Sequence, residues 1–227
     1  MSVIYHQTVE QGSEEWLSLR CGILTASEMK HIITPAKLQY SSNDKEKSHL
    51  FEIAAQRITK YVEPHYVSDD MLRGMTDEVE ARILYDKNYA AVTECGFITN
   101  DRYGYEVGYS PDGLVGDDGL IECKSRRQKF QIESICSNKM PSDYIIQVQT
   151  GLLVSERKWC DFISYSAGLP MFTFRVYPDE KVQAAISSAI IEFNDRVDKV
   201  MEMYYANNRS DMRLIPTERK KEEEISI

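Results

Sequence analysis

The segment from Tyr105 to Ser125 constrains the fold of this chain more than any other. Tyr105 to Tyr109 alternates as a β-strand does, and Leu120 to Ser125 has the pattern of a strand that returns beside it. Between them, Gly116-Asp117-Asp118-Gly119 is strong turn chemistry. The segment therefore predicts a β-hairpin.

This hairpin carries two carboxylates and an amine. Because alternate side chains of a strand share a face, Glu122 and Lys124 project together, and the intervening side chain points the other way. Asp112, in Ser110-Pro111-Asp112-Gly113, lies at the hairpin mouth within reach of Glu122. Hard oxygen ligands beside a lysine suit magnesium-assisted phosphodiester hydrolysis better than zinc or redox chemistry. The alternative is an ordinary turn followed by a Glu-x-Lys pair on an exposed strand.

Composition favours one domain in a reducing compartment. With 227 residues, 42% of them hydrophobic, the chain can bury one substantial core. We assign 1–206 to a single domain and 207–227 to a flexible acidic-basic tail. No apolar run approaches the roughly 20 residues that span a bilayer, and no secretory signal is recognisable. Five cysteines without a Cys-x-x-Cys pair argue against a disulfide framework or a zinc ribbon, so we expect a cytoplasmic protein with no membrane partner.

The net charge of −9 limits how this chain can contact nucleic acid. Passive DNA binders usually show a basic surface, because their affinity rests on neutralising phosphates. The one dense basic stretch runs from Lys124 to Lys129, directly after the proposed catalytic strand. Any DNA contact must therefore be focused there, unless this stretch is only the solvated start of a helix.

Periodicity and capping signals predict a mixed α/β fold with helices on the faces of a sheet. A capping box beginning at Thr25 predicts one of the helices, which stops before Pro35. The other predicted helices cover 13–20, 45–61, 69–89, 128–137, 142–154 and 178–206. The predicted strands cover 92–99, 103–110, 120–125, 159–166 and 171–177.

Several blocks of the sequence together resemble one nuclease family. Pro111-Asp112 and Glu122-Cys123-Lys124 resemble the PD-(D/E)xK nuclease signature. Glu10-Gln11-Gly12, Trp16 and the run from Leu19 to Ser27 resemble the N-terminal block of lambda-type phage exonucleases, the YqaJ-like viral recombinase family. Gly74-Met75-Thr76-Asp77-Glu78 resembles that family's Gly-x-x-x-Glu helix, and Ile145-Ile146-Gln147-Val148-Gln149 resembles its glutamine-bearing helix.

The resemblance implies a restriction-endonuclease-like core and a magnesium-dependent exonuclease. Such an enzyme digests one strand of linear double-stranded DNA in the 5′→3′ direction, releases 5′ mononucleotides and leaves a 3′ single strand. It further implies a homotrimeric ring threaded by DNA, a single-strand annealing protein as recombination partner, and a phage or prophage origin in a bacterial host. A ring would retain DNA with fewer phosphate contacts, which is compatible with the acidic composition.

The resemblance also assigns metal ligands. Asp112 and Glu122 bind through their carboxylates, Cys123 through its backbone carbonyl, and Glu78 as an additional acid, with Glu80 as its rival if the alignment slips. We expect Mg²⁺, bound as two ions, with Mn²⁺ able to substitute. The alternative for Glu78 is a solvated pair with Arg82 at i+4.

Lys124 is expected to orient the attacking water or stabilise charge on the phosphate. Gln147 and Gln149 can each bond phosphate or a metal-bound water. Since they lie two residues apart on a helix, they point about 200° apart and only one can face the site. We favour Gln147 and keep Gln149 as an alternative.

A second pocket is expected around Arg20, Thr25 and Ser27, which the family uses to hold the 5′ phosphate. A guanidinium fork, hydroxyls and helix N-terminal amides form a ready terminal-phosphate site, and Ser110 can join it. The alternative for Thr25 is helix capping alone. We further predict that Lys37 reaches the downstream duplex and that Met71-Leu72 wedges the end apart.

Two other functions remain open from the sequence. The chain can be a PD-(D/E)xK restriction or structure-selective endonuclease, which would nick closed circular DNA that an exonuclease leaves intact. It can also be a catalytically inactive DNA-end binding protein. The intact Asp112, Glu122 and Lys124 argue against the inactive protein.

Overall fold

A computed structural model describes residues 2–64, 68–206, 212 and 214–219. The helices in these residues are α1 Glu14–Arg20, α2 Asp44–Thr59, α3 Asp69–Asn88, α4 Gln128–Ser137, α5 Ile145–Ser155 and α6 Glu180–Tyr205. The strands are β1 Val3–His6, β2 Leu24–Thr25, β3 Phe97–Asn100, β4 Val107–Tyr109, β5 Gly113–Val115, β6 Gly119–Ser125, β7 Trp159–Tyr165 and β8 Phe172–Val176.

The strands form two four-stranded sheets of mixed direction, which confirms the predicted α/β class. In the first sheet the order is β1-β3-β4-β2, and β2 runs parallel to β4. In the second sheet the order is β5-β6-β7-β8, where β6 and β7 are parallel and both edge strands are antiparallel to their neighbours. Helices flank the sheets, as predicted.

Local capping explains where three of the helices begin. The Ser13 side chain accepts the backbone N–H of Trp16 at the start of α1, as its sequence predicted. The Asn43 side chain caps α2, and the Ser68 side chain caps α3. In α1 and α3, acidic residues occupy the first turn and a basic residue the last, which complements the helix dipole.

Apolar side chains pack on both faces of the second sheet. Leu120 of β6 and Phe162 of β7 belong to the larger buried cluster, which also includes residues of α5 and α6. Ile121 and Cys123 of β6 point the other way and pack with Ala81 and Tyr85 of α3 in a smaller cluster. This alternation confirms the predicted side-chain directions along β6 and places the Cys123 thiol in the core.

The predicted helix after Thr25 is wrong. The Thr25 backbone lies in β2, where it pairs with Gly108, and the Ala26 N–H donates to the Gly108 carbonyl at 2.9 Å. Only a three-residue 3-10 turn, Met29–His31, follows. Pairing with a distant strand therefore replaces the local capping box, and no α-helix N-terminus is present at this place.

The predicted hairpin is also corrected in one respect. The turn around residues 116–118 joins β5 to β6 and not β4 to β6, because Gly113–Val115 forms a separate short strand. β4 lies in the first sheet. Residues 110–112 therefore cross from one sheet to the other, and Asp112 lies on this crossing.

Two helices with similar apolar stripes differ in what covers them. In α6, residues such as Ile186, Ile190, Phe193 and Val197 are fully buried. In α3, the side chains that recur at helical spacing expose between 45% and 60% of their surface; they are Leu72, Met75, Val79 and Ile83. The α3 helix turns a different face, with Ala81 and Tyr85, toward the sheet.

The single-domain boundary stays a prediction, and most of the predicted tail, 207–227, lies outside the described residues. Within its described part, Arg219 stacks on the Tyr61 ring at 3.7 Å and pairs with Glu63 at 3.8 Å. No helix in the described ranges has the length and apolar character needed to cross a membrane.

Candidate active site

Strand β6 brings Glu122 and Lys124 together on one face, as the alternation of the strand predicted. The Lys124 ammonium lies 2.7 Å from Oε1 of Glu122, and the carboxylate is almost completely buried. The residue between them, Cys123, uses its backbone N–H to bind Oδ2 of Asp112 at 2.5 Å. Asp112, Glu122 and Lys124 therefore form one cluster.

Two further side chains hold the Glu122 carboxylate from other elements. Gln147 of α5 donates to Oε1 at 2.5 Å, and the Tyr109 hydroxyl of β4 donates to Oε2 at 2.7 Å. The Tyr109 ring packs so tightly against α5 that a Cβ at Gly151 would lie 2.7 Å from it. Glu122 is thus fixed in place by groups from both sheets and one helix.

Glu78 of α3 completes the acidic group. Its Oε1 lies 4.0 Å from the Lys124 ammonium. The alternative pairing with Arg82 does not form, because Arg82 binds Glu94 at 2.8 Å. Glu80, the rival position, is exposed. The structure therefore places Glu78, and not Glu80, beside Lys124.

Burial and like charge raise the pKa values of these acids. Burial raises the pKa of Asp112 well above its usual range, and the Glu122 charge raises it further. Burial also raises the pKa of Glu78, although the Lys124 charge opposes this. Burial tends to lower the pKa of Lys124, but Glu122, Asp112 and Glu78 outweigh it and raise the pKa above its ordinary value. Lys124 is therefore held as a cation.

The donor set suits a hard divalent cation. Glu78 and Glu122 contact Lys124, Asp112 lies beside them on the β6 backbone, and burial followed by the charge of neighbouring acids raises the pKa of Asp112. Among the described residues, however, no three acidic, histidine or cysteine side chains already surround a common point as ligands. Oε1 of Glu122 accepts from Lys124 and Gln147 instead, so a cation there requires this oxygen to exchange a partner.

A second pocket lies around the Arg20 guanidinium. Its Nη1 lies 3.3 Å from the Ser110 hydroxyl and its Nη2 lies 3.5 Å from the Thr25 hydroxyl. The Thr25 and Ser27 hydroxyls are 3.2 Å apart. The structure therefore assembles the predicted set of Arg20, Thr25, Ser27 and Ser110, without the helix N-terminal amides that the sequence suggested.

Aromatic rings fix the orientation of this guanidinium. Arg20 stacks 4.2 Å from the Trp16 ring and 5.7 Å from the Phe97 ring. The Trp16 indole donates to the Ser110 hydroxyl at 3.0 Å. Burial lowers the pKa of Arg20, and the Glu28 charge opposes this, yet an arginine stays charged at neutral pH. The pocket thus presents one oriented cation beside hydroxyl groups, and the Ser27 hydroxyl also donates to the Glu28 carboxylate at 3.4 Å.

Residues 110–112 connect the two sites. Ser110 contacts Arg20, Asp112 contacts the β6 backbone, and the carbonyl of Pro111 accepts the Gln11 side-chain amide at 2.9 Å. An anion pocket and an acidic centre therefore lie at the two ends of a three-residue crossing.

Comparison with known proteins identifies the family. The family model for the YqaJ-like viral recombinase domain matches residues 15–158. The chain belongs to this family. Two solved structures of an alkaline exonuclease from Laribacter hongkongensis (LHK-Exo), one of them in complex with dAMP, are each 32% identical to it. They cover 85% of this chain and 96% of their own, with TM-scores of 0.75 and 0.74.

A phage related exonuclease from Haemophilus somnus 129PT has the same fold. It is 14% identical, has a TM-score of 0.58, and covers 80% of this chain and 96% of its own. No curated protein matches the chain. Membership of the recombinase family and the assembled acidic site together support a nuclease function on DNA.

Two of the predicted DNA-binding residues, Gln149 and Lys37, lie outside both sites. Gln149 is buried, and its amide binds the Tyr177 carbonyl at 2.8 Å and the Asp179 N–H at 2.9 Å. It therefore anchors the segment before α6 and does not face the acidic centre, which corrects that assignment. Lys37 is exposed in the turn that follows Thr34, where it stays a predicted contact.

Met71 and Leu72 are exposed in the first turn of α3, seven and six residues before Glu78. This position suits the predicted wedge, which stays a prediction. The role of the Cys123 carbonyl as a ligand stays a prediction as well.

Sequence reasoning missed Tyr109, which contacts Glu122 directly. Its only sequence signal was its position in a predicted strand next to Ser110, because its partner is set by tertiary packing. Gln11 and Trp16 were noticed only as parts of a motif. The structure gives them contacts, with the Pro111 carbonyl and the Ser110 hydroxyl respectively.

Proposed function

We propose that this chain is a magnesium-dependent exonuclease that degrades one strand of linear double-stranded DNA in the 5′→3′ direction. It releases 5′ mononucleotides and leaves a 3′ single strand for annealing-type recombination. The observation that carries the proposal is the joining of two sites through residues 110–112, one acidic and one cationic. The acidic site suits phosphodiester hydrolysis, and the cationic pocket suits the phosphate at a strand end.

Asp112, Glu122, Glu78 and the Cys123 carbonyl would hold the magnesium, as two ions or one, and Mn²⁺ would substitute for it. When bound, magnesium lowers the pKa of a coordinated water and offsets charge on the phosphate oxygens. Lys124 keeps its proton, so its Nζ donates hydrogen bonds to the attacking water or a phosphate oxygen. Gln147 and Tyr109 keep the Glu122 carboxylate in one orientation.

The Arg20 pocket gives the reaction its polarity. A terminal 5′ phosphate carries more charge than an internal phosphodiester, and the Arg20 fork with the Thr25 and Ser27 hydroxyls would bind it preferentially. After each cleavage the new 5′ phosphate would enter the same pocket. The bound dAMP in LHK-Exo supports a nucleoside monophosphate as the product.

The assembly would be a homotrimeric ring acting beside a single-strand annealing protein. The exposed apolar stripe of α3 supports a subunit interface, because Met75, Val79 and Ile83, beyond the predicted wedge, form a contiguous face. Sedimentation equilibrium tests this, with a mass of three chains expected. Replacement of Met75 and Val79 by glutamine should lower that mass toward one chain if the α3 stripe lies at the interface.

One experiment tests the function. Linear duplex with a 5′ phosphate, labelled on each strand in turn, is incubated with the protein and magnesium. We expect mononucleotides from the 5′ ends while the complementary strand survives, and no nicking of closed circular DNA. Nicked circles would instead indicate an endonuclease, and bound but undegraded ends would indicate an inactive end-binding protein.

A further inference from the structure

A cleft of about 570 Å³ opens beside the end of β6, outside both sites described above. It lies between the first turns of α3, helix α4 and the turn that precedes α5. Its lining combines cations and aromatic rings, namely Arg73, Arg126, Arg127, Lys139, Phe130 and Tyr144. Two exposed carboxylates, Glu133 and Asp143, also line it, so positive charge exceeds negative charge by two.

Arg126 is the central group of this cleft. Its guanidinium lies 5.1 Å from the Phe130 ring and 5.4 Å from the Tyr144 ring, and Nη1 donates to the Tyr144 hydroxyl at 3.2 Å. Within the described part of the chain, the Nε of Arg126 is buried and has no hydrogen-bond partner. A buried donor without a partner is costly, so this nitrogen is suited to an acceptor that the chain itself does not supply.

Two other cations of the cleft are paired with a carboxylate of α3. Arg73 and Arg127 both pair with Asp70, at 3.1 and 3.0 Å. Arg73 also donates to the Ser125 hydroxyl at 3.3 Å. Lys129 also lies over the Phe130 ring, at 4.7 Å, whereas Arg126 contacts both aromatic rings.

The cleft begins where the catalytic strand ends. Ser125 and Arg126 directly follow Lys124, so their backbone lies within about 7 Å of it at the usual rise of a strand. The Arg20 pocket approaches the acidic centre from the other end, through Ser110 and Asp112. The cleft therefore adjoins the acidic centre at the end of β6, on the far side of Lys124 in the chain.

We propose that the cleft binds an unpaired DNA strand, with a base stacked on the aromatic rings and a phosphate on Arg126. This inference rests on the proposed function, because an enzyme that degrades duplex ends brings unpaired nucleotides beside its catalytic strand. Arginine and aromatic side chains in one groove are the usual means of binding single strands without sequence preference. The cleft would thereby hold the strand that degradation leaves unpaired beside the catalytic strand.

Binding of a 5′-hydroxyl oligothymidylate of about ten nucleotides, measured by fluorescence anisotropy in EDTA, tests this proposal. The missing terminal phosphate removes the Arg20 contact, and EDTA removes metal-dependent binding and hydrolysis. We expect Arg126→Gln to weaken the affinity about tenfold, and Phe130→Leu by a similar factor, since stacking of one base contributes about this much. Arg102→Gln, which removes a surface arginine paired with Glu156, should leave the affinity within twofold.

The possible results separate this proposal from the proposed function. Thermal unfolding of each variant shows whether it is folded, and Tyr144→Phe, which removes only one hydroxyl, provides a milder change in the cleft. If none of the three cleft variants changed the affinity for the oligonucleotide, the proposal would be overturned. An affinity of the wild-type protein for free dTMP equal to its affinity for the oligonucleotide would also overturn it. Hydrolysis of linear duplex is measured separately, with magnesium. If the protein did not hydrolyse the duplex but still bound the oligonucleotide through the cleft, only the proposed exonuclease function would be overturned.

Discussion

The acidic centre on β6 and the Arg20 pocket are both partly enclosed polar sites, but the charged groups that form them have opposite signs. At the centre, Glu78, Asp112 and Glu122 surround one ammonium, and the pKa values of Glu78 and Asp112 are raised. In the pocket, one guanidinium faces hydroxyl groups, and burial lowers the pKa of Arg20. Carboxylates therefore outnumber cations at the centre, whereas the pocket has a buried cation with which the acid Glu28 interacts electrostatically.

This difference explains how an acidic chain can act on DNA. The net charge of −9 concerns the whole chain, whereas each site is set by a few groups in contact. A divalent cation would relieve the repulsion at the centre, and a terminal phosphate would neutralise the pocket.

The largest effect is expected at Lys124. Because its charged amine contacts the Glu122 and Glu78 carboxylates, Lys124→Ala should lower the single-turnover rate on linear duplex by roughly 10²–10³-fold, the usual cost of losing one preorganised charge-stabilising donor. DNA affinity should change little. Lys158→Ala is the matched control, since Lys158 is an exposed lysine that pairs with Asp118. A rate for Lys124→Ala equal to that of the wild type would contradict the role.

Metal binding should appear as a change in stability, independently of activity. At about 100 times its Kd, magnesium is expected to raise the free energy of unfolding by roughly 2.7 kcal/mol. Asp112→Asn should be more stable without metal, because it removes a buried like charge beside Glu122, and should lose most of the magnesium-dependent gain. Calorimetry with and without magnesium measures both effects.

Asp117→Asn is the control for this comparison, because Asp117 is an exposed acid in the turn between β5 and β6. It should keep the full magnesium-dependent gain. An equal gain in Asp112→Asn and in the wild type would show that the cation does not bind at the acidic centre.

Removing the cation from the pocket should change selectivity more than catalysis. Charge-assisted hydrogen bonds contribute about 1.5–3 kcal/mol, so Arg20→Ala should lower the preference for 5′-phosphorylated over 5′-hydroxyl ends by about 10–100-fold. Arg20→Lys keeps the charge but not the fork and should retain only part of the preference. The ratio of initial rates on the two substrates measures this, with Arg102→Ala as control. A ratio unchanged by Arg20→Ala would remove the pocket from end recognition.

The same contrast shows what could be predicted from the sequence. The pairing of Glu122 with Lys124 was predictable because alternation along a strand is a local rule. The helix proposed after Thr25 failed because Thr25 pairs with Gly108, more than 80 residues away, and a two-residue strand leaves no periodic signal. Pairing of β1 with β3 was also missed, because these two strands are more than 90 residues apart in the chain.

Side-chain partners across elements were the least predictable part of the site. The contact of Tyr109 with Glu122 depends on how β4 and α5 pack, and that of Gln149 with the segment before α6 depends on the fold as a whole. Apolar residues recur at helical spacing in the sequences of both α3 and α6. Periodicity predicted that each helix has an apolar face, but it did not predict which of them this chain covers.

The smallest effect is expected where the two sites are joined. Gln11→Ala removes a neutral hydrogen bond to the Pro111 carbonyl, which contributes about 1 kcal/mol. Because Pro111 lies between Ser110 of the pocket and Asp112 of the centre, its displacement should lower the rates on phosphorylated and hydroxyl ends by the same few-fold factor. Arg20→Ala changes their ratio, whereas Gln11→Ala should leave the ratio unchanged. If Gln11→Ala changed only the ratio of the two rates, residues 110–112 would affect end recognition alone. The two sites would then not be coupled through this crossing.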